Sequence, residues 1–288
     1  MTPGREFYSE STRHQPVTRE DVLTGRAIRI SPALITIIDG RVETESPEDL
    51  QSDVLARTTE LLSHKALHSL HVDVNFEDYS GFGDRRPELN AGVFTPDFVD
   101  ELNSIARAYE AFITLHLLTD FPARHLGDFE HIPLGAVCFQ LDAVLEPELL
   151  AALVEQIDAM GACASPVIET VGNDKRAPLP ENSVREQLEP VLPLIGMLTF
   201  QAAETASRSN RPAGTFARDQ VKNHIDALTP SFSGTIQLQG GIKIETVGAA
   251  VALGADFLVA GTQLFRGSLR PAQMVDLMLA AIADQLGV

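Results

Sequence analysis

Tryptophan is absent and cysteine nearly so, with Cys138 and Cys163 the two cysteines among 288 residues. Neither stands in a C-x-x-C arrangement, which removes the usual dithiol redox and zinc-ribbon sites. Both lie in apolar stretches and read as reduced core residues. Positive charge is scarce: 22 Lys and Arg face 40 Asp and Glu, for a formal net charge of −18. Such a surface repels nucleic acid and anionic membranes over most approaches, so an anionic ligand has to be captured by a local arrangement. No apolar run approaches the roughly 18 residues a membrane-spanning helix needs. The segment from Met1 to Arg26 is polar and charged, without the apolar stretch of a signal peptide, and the expectation is a soluble, cytoplasmic protein. The G-x-G-x-x-G turn that announces a dinucleotide site in an open doubly wound sheet is also missing.

What the chain does have is alternation. Apolar, β-prone runs occur at Ile28 to Ile37, Ser69 to Val74, Ala111 to Leu117, Leu134 to Phe139, Cys163 to Ile168, Ile195 to Phe200, Thr235 to Gln239 and Phe257 to Ala260. Between them lie segments such as Pro96 to Tyr109, Glu146 to Met160 and Arg218 to Leu228, where apolar residues recur at helical spacing. Eight such units in a chain with 44% hydrophobic residues predict one α/β domain, a closed (β/α)8 TIM barrel, a fold that commonly takes about 250 residues. The expected division is an N-terminal extension over residues 1–26 and the barrel over 27–288. Two connections are long, Thr170 to Ser183 and Gln201 to Phe216. Long loops after barrel strands either line a site or cover the surface.

The densest chemical signal is Ser69-Leu-His-Val-Asp-Val-Asn75. His71 and Asp73 are two apart and share one face of a strand. They either bond one another inside the barrel or begin a metal site. His116, in Ile113-Thr-Leu-His-Leu-Leu118, lies at the end of the next strand among apolar residues, where an unpartnered imidazole is costly. Neighbouring strands bring it beside the first two, and two imidazoles with one carboxylate suit zinc, iron, manganese or cobalt. Toward the C-terminus, Gly240-Gly241 follows the seventh run and Gly261-Thr262 the eighth, and their backbone N–H groups can cradle a phosphate dianion.

These residues together resemble the ribulose-phosphate 3-epimerase family over roughly residues 28 to 270. Ile30-Ser-Pro-Ala-Leu34 resembles its first strand and His71-Val-Asp73 its second. His116-Leu-Leu resembles its third-strand metal histidine, Gln239-Gly-Gly-Ile its Asp-Gly-Gly-Ile, and Val259-Ala-Gly-Thr-Gln-Leu-Phe265 its closing segment. The resemblance implies a barrel of the ribulose-phosphate-binding type and a divalent metal held by His71, Asp73, His116 and Gln239. It further implies Asp73 as catalytic base, and a sugar phosphate bound by Ser31, Gly240, Gly241, Gly261 and Thr262. Epimerase chemistry through an enediolate follows.

Three departures qualify that expectation. The family's second acid–base aspartate is here Gln239, which can offer a carbonyl but cannot exchange a proton near neutral pH. Asn75-Phe-Glu stands where the family has Met-Asp-Gly, and the loop after the sixth run lacks the family's glycine-rich pattern. Candidates for a replacement acid are Asp142, Glu169 and Glu204. Arg208 and Arg211 are candidates for replacing lost phosphate contacts or are solvent-facing charges. Two other readings stay open, a related isomerase or lyase using the same enediolate and a non-catalytic sugar-phosphate-binding homologue. The helices on a barrel's exterior also suit assembly into a homo-oligomer.

Overall fold

The computed structural model describes residues 17–82, 90, 92–171, 177–203 and 215–288. Eight strands form its frame: β1 (Arg29–Pro32), β2 (Ser69–Asn75), β3 (Phe112–Leu118), β4 (Ala136–Gln140), β5 (Cys163–Glu169), β6 (Met197–Gln201), β7 (Thr235–Gln239) and β8 (Phe257–Ala260). All are parallel, and they follow the order β1-β8-β7-β6-β5-β4-β3-β2. The ring closes between β1 and β2 through the bridge Ala33–His71, where the Leu34 N–H donates to the His71 carbonyl at 2.9 Å. Helices alternate with the strands, as in a TIM barrel.

Local chemistry accounts for the connections. The helices Pro47–Leu62 and Pro96–Ala108 begin with a hydroxyl cap followed by proline: Ser46 accepts from the Asp49 N–H and Thr95 from the Phe98 N–H. The cap satisfies a donor that the first turn leaves open, and proline there has no donor to lose. Each helix then buries one stripe, such as Leu50, Val54, Leu61 and Leu62, against the outside of the strands. No helix among the described residues is long and apolar enough to cross a membrane.

Several expected bounds shift. The run Ile28 to Ile37 splits into β1 and a helical turn, Ile35–Ile38. Once the Leu34 N–H is spent on the His71 carbonyl, the Thr36 and Ile37 amides bond back to Ala33 and Leu34, and the isoleucines pack from a turn. The long connection after β5 ends at the helix Glu181–Leu188. Within the expected extension, the helix Arg19–Leu23 buries Val22 in the main core, and Arg19 donates to the Val288 carbonyl at 2.6 Å.

The barrel interior is unusually polar. Ala136, Cys138, Cys163, Val167, Met197 and Phe257 form a small apolar plug, in place of the stacked branched aliphatic layers common in such barrels. Beside it, the Thr199 hydroxyl bonds to Ser165 Oγ at 2.7 Å and accepts from Gln237 Nε2 at 2.9 Å. Burial pushes the Cys138 thiol up to about 12. It therefore stays neutral, and both it and Cys163 are buried core residues outside any disulfide.

Candidate active site

β2 projects His71 and Asp73 into the barrel from the same face. The parallel register sets Asp73 opposite His116 of β3. Asp73 Oδ1 lies 3.2 Å from His71 Nε2 and 2.9 Å from His116 Nδ1, and the two rings meet edge to face at 5.5 Å. Both histidines are buried, and Asp73 keeps 13% of its side chain exposed toward the mouth. Burial by itself raises the Asp73 pKa, but the His71 charge and hydrogen bonds from His116 and His71 outweigh it and hold the carboxyl well below the usual range. Burial likewise lowers the His116 pKa, against the opposing pull of Asp73, and favours a neutral imidazole. The result is a carboxylate bonded by two buried imidazoles.

This donor set fits a divalent cation. One atom from each of His71, Asp73 and His116 can be chosen so that all lie within 4.8 Å of one another. Ligands about 2.0–2.2 Å from a metal stand roughly 3–3.5 Å from each other, close to the two observed separations. Gln239 ends β7 with a buried side chain whose Oε1 accepts no hydrogen bond. An orphaned carbonyl oxygen normally carries a cost, and a cation is one partner that would remove it. The His71 Nδ1 and Ser31 Oγ atoms are also buried without hydrogen-bond partners.

Two residues that hold this site did not stand out in the sequence. Asn90 accepts from the Asn75 N–H at 2.7 Å and donates to the Asp73 carbonyl at 2.9 Å, fixing the backbone at the end of β2. Gln140, the last residue of β4, places its Nε2 3.3 Å from His116 Nε2. The signal that singled out His116, a polar side chain toward the end of an apolar run, applies to Gln140 as well. Asn90 gave no comparable signal, because its partners are backbone groups far along the chain.

The glycines after β7 and β8 occupy positions that leave little room for a side chain. Gly240 and Gly241 have φ of 83° and 70°, a left-handed region that side chains with a Cβ rarely enter. A Cβ on Gly240 would stand 2.6 Å from that of Ala203, and one on Gly261 2.4 Å from Thr36 Oγ1. Gln263 Oε1 accepts from the Ile244 N–H at 2.6 Å and so ties the loop after β7 to the one after β8. Thr262 opens the short helix Thr262–Phe265. Among the other candidates, Glu169 ends β5 and Asp142 lies in the turn Leu141–Ala143 after β4, both at the same barrel end. Glu204, Arg208 and Arg211 lie outside the described residues.

Comparison with known proteins gives a distant sequence relationship and a fold. No protein-family model matches the chain. A ribulose-phosphate 3-epimerase of Candida glabrata is 25% identical over 177 residues, which span 61% of this chain and 64% of that protein, under two thirds of its length. A 3-hexulose-6-phosphate synthase from Salmonella typhimurium superposes with a TM-score of 0.61 at 10% identity, covering 90% of this chain and 100% of the other. KGPDC from Streptococcus mutans gives 0.60 at 8% identity, covering 90% and 99%. At those identities the structural likeness speaks for the barrel. The chain is a TIM-barrel protein with a detectable sequence likeness to a ribulose-phosphate 3-epimerase.

Proposed function

We propose that this protein is a metal-dependent, epimerase-like enzyme that acts on a pentose or hexose ketose phosphate through an enediolate. The observation that carries this reading is the convergence of His71 Nε2 and His116 Nδ1 on Asp73 Oδ1, at the strand ends where barrel enzymes place their chemistry. The 25% sequence relationship to a ribulose-phosphate 3-epimerase supports it.

His71, Asp73, His116 and the Gln239 carbonyl would hold the ion. Zinc, iron, manganese or cobalt bound there supplies Lewis-acid stabilisation of negative charge on the substrate oxygens. Gly240, Gly241, Gly261 and Thr262 would take the phosphate through backbone N–H groups. None of the amides of Gly240, Gly241 and Gly261 donates to a backbone carbonyl among the described residues. Ser31, with its hydroxyl unpartnered, would contact the sugar. Asp73 is ionised and partly open to the mouth, and would take the proton adjacent to the carbonyl.

Gln239 favours a second reading at the same site. An amide cannot return a proton to the opposite face, so either Glu169 or Asp142 does so, or the intermediate resolves by a route without a matched acid, as in an isomerase or lyase. A binding protein that kept only the cradle is the remaining alternative. Metal analysis of the purified protein together with the Gln239→Asp variant tests the proposal. Stoichiometric metal, and 3-epimerisation gained or increased on restoring the carboxylate, are the expected results. A protein that retains none of the four metals when they are supplied would remove its basis.

A further inference from the structure

Gln140 approaches His116 in a way that has a consequence for metal binding. Its Nε2 lies 3.3 Å from His116 Nε2, while its Oε1 is buried without a hydrogen-bond partner. An amide NH2 group only donates, so this contact is a hydrogen bond when His116 Nε2 carries the lone pair. The ring proton then sits on Nδ1 and faces Asp73 Oδ1 at 2.9 Å, where an acceptor-only carboxylate takes it. All three groups are satisfied in that arrangement, and His116 Nδ1 has no lone pair to give a cation.

Ligation through Nδ1 reverses the requirement. The proton has to lie on Nε2, and the NH2 of Gln140 would then oppose another donor. A half-turn of the amide brings Oε1 to the place Nε2 now holds, and the orphaned oxygen acquires the imidazole N–H. We infer that Gln140 is a positioning residue that selects the His116 tautomer, its amide donating in the metal-free protein and turning to accept when a cation binds. This inference rests on the metal site proposed above. Ligating histidines commonly donate their second N–H to an oxygen that fixes ring and tautomer, and loss of such a partner typically costs 10–100-fold in metal affinity.

The test uses the full chain labelled with 15N-histidine, zinc titrations, and the variants Gln140→Met and Gln140→Glu. Methionine removes the acceptor at similar length without changing charge, and glutamate keeps it. In wild type, long-range 1H–15N spectra are expected to place the His116 proton on Nδ1 without metal and on Nε2 with zinc. Gln140→Met should bind zinc 10–100-fold more weakly while its metal-free unfolding temperature falls by no more than the roughly 2–3 °C that one lost buried hydrogen bond costs, and Gln140→Glu should retain wild-type affinity or better. A metal-free wild-type protein with the proton already on Nε2 would overturn the inference, whatever the variants do. So would Gln140→Met binding zinc as wild type does. Absence of binding of zinc, manganese, iron or cobalt by wild type is a distinct outcome, because it refutes the metal site itself and this inference with it.

Discussion

Replacing Asn90 by alanine separates the scaffold of the site from its chemistry. The side chain is fully buried, accepts from the Asn75 N–H and donates to the Asp73 carbonyl. Alanine leaves both backbone groups without these bonds. Each lost bond, with the desolvation of the group left behind, costs about 1–2 kcal/mol, for about 2–4 kcal/mol in all. With an unfolding entropy near 2.1 cal/mol/K per residue, a chain of 288 residues loses about 1.7 °C of midpoint per kcal/mol, so the expected fall in Tm is about 3–7 °C. Calorimetry or urea denaturation of the metal-free protein measures it. Gln51→Ala is the graded control, because it removes one bond to the Val93 carbonyl and should cost about 1 kcal/mol. If Asn90→Ala shifts the midpoint by under 1 °C, or no more than Gln51→Ala does, Asn90 does not hold the end of β2.

Other consequences follow from the same geometry. Gly240→Ala forces a Cβ into a left-handed residue with φ of 83° and to within 2.6 Å of the Ala203 Cβ. Binding of inorganic phosphate or a ketose phosphate, followed by calorimetry, should weaken at least about tenfold, equivalent to roughly 1.4 kcal/mol. The Asp78 carboxylate accepts from Thr119 Oγ1 at 2.6 Å and pairs at 2.7 Å with Nε2 of His125, whose ring stacks on Phe76. Burial acts to raise its pKa, but the hydrogen bonds from Thr119 and His125 lower it overall. Its contribution is therefore present above the unfolded carboxylate value near 4 and lost as pH falls below it. Asp78→Asn should lower stability at pH 7 and reduce the loss between pH 5 and pH 3, read from urea midpoints across that range.

The barrel was legible because parallel strands covered on both sides leave apolar runs, and helices leave a 3.6-residue period. His71 and Asp73 were legible as a pair because residues two apart on a strand share a face whatever surrounds them. The link to His116 needed only neighbouring strands, and the register that sets it against Asp73 came out as expected. Ile35–Ile38 was misread because Ile-Thr-Ile-Ile is β-branched throughout and too short to show a period. Gln140 and Asn90 were missed for another reason: their roles depend on contacts across strands and loops, with Gln140 24 positions from His116 and Asn90 17 positions from Asp73. A list of metal-binding residue types passes over both amides, although they are the groups that contact His116 and the Asp73 backbone.

The most direct test of the account is solvent-deuterium incorporation into a panel of ketose phosphates that includes ribulose 5-phosphate, with metal-loaded wild type and Asp73→Asn. The account predicts exchange of the proton adjacent to the carbonyl in at least one member of the panel, lost in Asp73→Asn. No exchange across the panel by wild type that binds both metal and sugar phosphate would contradict it and leave a binding protein on an enzyme's barrel.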